Sequence, residues 1–118
     1  MNAQLKRIHC PTIFGLKAYK PNDPKKFGLL FQVMVGPEGL DAEESFDIEI
    51  CTPLWLEDAY GIDDIVVGRH LLIVREYNYE RMECFIVDYL KRCSAENWDE
   101  VAAKVARLGL WEFEDYVP

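Results

Sequence analysis

Long apolar runs are missing from this sequence: nowhere do about eighteen consecutive hydrophobic residues occur, so no membrane-spanning helix is predicted. The amino end, Met1-Asn2-Ala3-Gln4-Leu5-Lys6-Arg7, lacks the apolar core of a secretory signal. These absences lead us to expect a cytoplasmic protein with no membrane partner. Glycine-rich phosphate loops are missing too, with neither a G-x-G-x-x-G nor a Walker pattern. Nucleophiles are scarce. The serines are Ser45 and Ser94 and the histidines His9 and His70, with no nucleophile-elbow glycines around them. The four cysteines, Cys10, Cys51, Cys84 and Cys93, form no C-x-x-C pair, which argues against a metal clip and for reduced, mostly buried thiols. His9 and Cys10 are adjacent, so on a strand they point opposite ways and do not share an ion. No metal and no cofactor is expected.

Charge of one sign is present in quantity. The chain carries 13 Lys and Arg against 21 Asp and Glu, a net charge of −8, unevenly spread. Residues 1–28 hold six basic groups and Asp23 alone, whereas ten carboxylates and no Lys or Arg lie between Gly36 and Gly68. Such a field repels nucleic acid and steers cationic partners inward, although acidic charge also serves solubility. With 118 residues, half of them hydrophobic, the chain suits one domain over 1–118 with a packed core.

The most informative stretch is Glu44–Trp55. Phe46, Ile48 and Ile50 alternate with Asp47, Glu49 and Cys51, which predicts a strand with one face on a core and one face wet. Thr52-Pro53 ends it, and Pro53–Tyr60 is expected as an apolar cap. Phe27–Val35 alternates likewise and should pair with it as a hairpin across Gly36-Pro37-Glu38-Gly39. Leu5–Tyr19 reads as one bent strand or two short ones. Arg69–Arg75 reads as a strand apolar on both faces, hence central, with His70 a structural histidine.

Helical spacing takes over at Asn78. Met82, Phe85, Ile86, Tyr89, Leu90 and Cys93 form one apolar stripe, acids lie near its start, and bases lie near its end. Asn97-Trp98-Asp99-Glu100 has the capping-box pattern, Trp98, Val101, Ala102 and Val105 make the buried side, and Gly109 closes the helix. Trp55, Trp98 and Trp111 are expected in the core. The tail, Leu110–Tyr116, alternates aromatic and acidic residues as an edge strand or a clamp on the helices. The fold class is therefore α+β: an antiparallel sheet of about four to five strands with two C-terminal helices on one face.

Four segments carry a family resemblance: Phe46–Leu56, Gly68–Val74, Trp98 at the head of the last helix, and Trp111–Tyr116. Together they resemble the immunity protein 8 family of bacterial polymorphic-toxin systems, from about residue 27 onward. The resemblance implies a non-enzymatic antidote that binds a cognate toxin protein, often a nuclease or other secreted effector. A toxin that attacks nucleic acid needs a basic groove, and an acidic inhibitor suits it. The expected binding surface is Asp47 and Glu49 on the wet side of the hairpin, with Glu43, Glu44, Asp58, Asp63 and Asp64 beside them. Tyr60 is a candidate anchor, and the tail acids Glu112, Glu114 and Asp115 either join the surface or pair locally. Leu30 and Met34, opposite the main stripe, allow a covered second face or a homodimer contact. Other readings stay open here: a small carboxylate-based or metal-dependent enzyme built on Asp63-Asp64 or the tail acids, and a structural or adaptor subunit.

Overall fold

Alternation of large apolar residues on two neighbouring segments builds the centre of the molecule. In the computed structural model, which describes residues 1–61 and 64–117, β2 (Gly28–Pro37) and β3 (Glu44–Cys51) pair antiparallel. Their register sets Leu29 against Ile50, Phe31 against Ile48 and Val33 against Phe46, so the apolar side chains share one face. β1 (Ala3–His9) adds to the outer side of β2, with a bulge at Lys6 between Leu5 and Arg7. Its start is tied down by bonds from the Met1 amino group to Ala95 O (2.7 Å) and from Ala3 N–H to Cys93 O (3.2 Å).

The helices follow from their caps. Asn78 Oδ1 accepts from Arg81 N–H (3.1 Å) and starts α2 (Tyr79–Lys91); Asn97 Oδ1 accepts from Glu100 N–H (3.0 Å) and starts α3 (Trp98–Val105). Met82, Ile86 and Leu90 from α2, with Val101, Ala102 and Val105 from α3, close over Phe31, Val33, Phe46, Ile48 and Ile50. At about 1.5–3 kcal/mol for each large buried side chain, this layer supplies the main stabilisation of the fold. The chain turns back after α3 at Gly109. A Cβ there would stand 3.0 Å from Ile48 Cγ1 and from Phe46 Cβ, a tight contact, so glycine eases the close passage of the chain over β3. β5 (Leu110–Trp111) then pairs antiparallel with Phe46 and Asp47.

The expected α+β architecture, with the two C-terminal helices on one sheet face, is what the molecule has. Several local expectations are corrected. The sheet is mixed, because β4 (Leu71–Ile73) runs parallel to β3. β4 is also an edge strand of three residues, not a central one, in the order β1-β2-β3-β4 with β5 sharing the β3 edge. Its apolar run reflects the core under Leu72, while Ile73 is 55 % exposed. The cap after β3 is a short helix, α1 (Pro53–Ala59), N-capped by the buried Thr52 hydroxyl, which accepts from Trp55 N–H and Phe27 N–H. Residues 11–20 are turns, with no second strand, because Gly15 takes φ +78 and the chain folds back on itself. Phe85 stands half-exposed off the α2 stripe. His70 has the structural role expected. It takes φ 67 at the entry to β4, and its Nε2–H donates to Ala106 O (3.0 Å) at the end of α3.

Candidate partner-binding face

The helices α2 and α3 cover one face of the sheet, and the residues between the buried ones form the other. Along β2 and β3 these are Leu30, Gln32 and Met34, then Ser45, Asp47, Glu49 and Cys51. α1 crosses this second face at one end. Gly28 pairs with Cys51, and a Cβ on Gly28 would stand 2.2 Å from Trp55 Cε2, so the indole rests on the glycine backbone. Trp55 therefore caps the outer face and is not core, which corrects that expectation. At this end Cys51 and Thr52 are fully buried, while the middle of the face stays uncovered, with Leu30 exposed.

Asp47 and Glu49 stand in that middle. Asp47 lies between Gln32 on β2 and Leu110 on β5; Glu49 lies between Leu30 on β2 and Leu71 on β4. Leu30 and Leu110 are 42 % and 46 % exposed, so each carboxylate is flanked by unprotected apolar surface. One oxygen of each, Asp47 Oδ1 and Glu49 Oε1, is out of reach of solvent and has no hydrogen-bond partner among the described residues. Burial pushes the Asp47 carboxyl above the usual range, and the Glu112 charge adds to the effect. Unmade hydrogen bonds on buried carboxylates are costly, each on the order of 1–3 kcal/mol. The protein thus presents two acceptors already stripped of part of their water, beside aliphatic side chains.

The other acids named from the sequence are scattered, and most are already engaged. Glu43 Oε1 accepts from Arg7 Nε (3.0 Å) and Nη2 (2.8 Å). Glu44 Oε1 accepts from the indole N–H groups of Trp98 and of Trp111 (3.2 Å). Trp98 and Trp111 pack against the core as expected, and Trp111 stacks on Phe46 with centroids 6.3 Å apart. Asp58 pairs with Lys26 and Glu114 with Arg69. Asp64 Oδ2 accepts from Gly61 N–H (2.7 Å), and Glu112 Oε1 accepts from Ser45 N–H (2.9 Å). Tyr60 is half-buried at the end of α1, Asp115 is exposed with φ 58, and Asp63 lies outside the described residues.

Sequence reasoning placed Leu30 on this second face but missed Leu110 and Leu71 as part of it. Leu30 carried a signal, being apolar on the wet side of a strand; Leu110 and Leu71 carried none, because their neighbours come from distant segments. Among the described residues no three His, Cys, Asp or Glu side chains come close enough to hold a metal ion.

No curated protein and no solved structure matches the chain. The family model described as Immunity protein 8 matches residues 3–116 of the 118, spanning every strand and helix described above. On that match the chain belongs to the immunity protein 8 family.

Proposed function

We propose that this protein neutralises a cognate bacterial toxin domain by binding it, without turnover, through the face centred on Asp47 and Glu49. The observation that carries the reading is the pair of partner-less, water-excluded carboxylate oxygens on an open sheet face. A second copy of the chain is a poor occupant, since each copy brings −8 and the same two carboxylates. A toxin with a cationic site, a nuclease foremost, supplies Arg or Lys donors that meet the accessible side of the Asp47 and Glu49 carboxylates while its apolar rim covers Leu30 and Leu110. Complementary fields raise association towards roughly 10⁸–10⁹ per molar per second at low salt. Affinity then comes from the few desolvated contacts at the centre, each on the order of 2 kcal/mol. Glu43, Asp58 and Glu114 are neutralised by Arg7, Lys26 and Arg69 and contribute little, and Glu44 supports the fold beneath the centre.

The test is co-expression of the product of the adjacent open reading frame with this protein, scored by survival. The wild type rescues the cells, and Asp47→Lys with Glu49→Lys abolishes rescue while the purified variant keeps its circular dichroism spectrum. Full rescue by the double variant, with unchanged salt dependence of association, removes this face from the mechanism. A metal-binding titration with a tight stoichiometric site, or turnover of a metabolite by the purified protein, would favour the enzyme reading instead.

A further inference from the structure

The sheet has a second unfilled surface, at the outer edge of β4. Glu49 N–H donates to His70 O (3.0 Å) and Val74 N–H donates to Cys51 O (2.9 Å), so His70 and Val74 turn these groups towards β3. Alternation along a strand then directs the N–H and C=O of Ile73 away from β3, where β4 is the last strand and nothing among the described residues pairs with them. α2 overhangs this edge. Between them lies a groove of about 420 Å³ lined by Leu72, Ile73, Arg75, Arg81, Met82 and Phe85. Ile73 and Phe85 are 55 % and 48 % exposed, although Met82 and Ile86 beside Phe85 are buried. Neither Arg75 nor Arg81 has a carboxylate within 4.0 Å among the described residues. Glu76 also lines the groove, which leaves two cations against one anion there in a chain of net charge −8.

We infer that this groove takes an extended segment of a partner protein, alternating acidic and apolar residues, added as a strand to the outer edge of β4. The free peptide groups of Ile73 supply the ladder. Alternate side chains of the segment pack under α2 against Leu72, Met82 and Phe85, and its carboxylates meet the Arg75 and Arg81 guanidiniums as charge-assisted bonds. Charge selects the occupant. A cationic segment meets two arginines here, and within a screening length of about 8 Å the local pair outweighs the distant acids. The surface is independent of the toxin-binding face, so the two stand or fall separately.

The test uses the full chain and fluorescent peptides of eight residues: alternating Glu and Val, alternating Lys and Val, and the Glu–Val peptide with one central Pro. The Glu–Val peptide binds and shifts the Ile73 amide in a nitrogen–proton correlation spectrum. Arg75→Glu with Arg81→Glu, both exposed positions, weakens it at least about tenfold and tightens the Lys–Val peptide by a similar factor. The Pro peptide binds at least about tenfold more weakly, because its missing N–H breaks the ladder. Equal binding of the Glu–Val and Lys–Val peptides, equal binding of the Pro peptide, or no binding near ~1 mM overturns the proposal. A dimer of the wild type in sedimentation that the double substitution abolishes also overturns it, by assigning the groove to a second copy.

Discussion

Trp111 donates its indole N–H to Glu44 Oε1 at 3.2 Å, across 67 positions of sequence, and Trp98 donates to the same oxygen. One carboxylate thereby joins the head of α3, the last strand and the start of β3. Glu44→Ala leaves two part-buried indole donors without an acceptor, so we expect a loss of about 1–3 kcal/mol in urea unfolding. Glu44→Gln keeps an acceptor oxygen and should lose less than half of that. If the alanine variant unfolds at the wild-type midpoint, the junction is not structural.

Asp47 should show the opposite sign. Its carboxyl titrates above the ordinary range because ionising it in the folded protein is penalised by burial and by Glu112. For an acid with a raised folded pKa, the penalty is fully present above that pKa and vanishes below the unfolded value. Asp47→Asn is therefore expected to be more stable than the wild type at pH 7, by less than ~1 kcal/mol once solvent screening is allowed for. The advantage should shrink as pH falls through the acid range to 4. An advantage that stays constant with pH would show that Asp47 is not ionised against a penalty.

Gly28 should resist substitution although it lies in a strand. Alanine places a Cβ at 2.2 Å from Trp55 Cε2, and the indole must leave the face or the strand must shift. We expect Gly28→Ala to cost about 1–3 kcal/mol, and most of that cost to disappear in a Trp55→Ala background. Additive effects in the double-mutant cycle would mean that the two residues do not share this contact.

Thiol reactivity should separate the cysteines. Cys84 is exposed on α2, while Cys10, Cys51 and Cys93 are buried and free. Burial pushes the Cys51 and Cys93 thiols up; the Glu49 charge adds to the effect at Cys51, and Arg107, Lys104 and Arg92 oppose it at Cys93. In the native protein at pH 8, one equivalent should react quickly with an aromatic disulfide reagent and three only after denaturation. Fast reaction of Cys84→Ser protein would contradict this arrangement.

Short-range chemistry determined what could be read along the chain. The alternation of Phe46, Ile48 and Ile50, the matching alternation of Phe31, Val33 and Val35, and the caps at Asn78 and Asn97 each act within a few residues. So did the excess of carboxylates between Gly36 and Gly68, which needs only counting. Tertiary structure decided the rest. That β4 sits at an edge, that Trp55 lies on Gly28, that Glu44 serves two indoles, and that Asp47 and Glu49 each keep an unpaired buried oxygen all depend on partners brought in from distant segments. The physical reason is that periodicity records which face of an element is apolar, whereas its partners, and whether the other face stays open, are settled when the segments pack together.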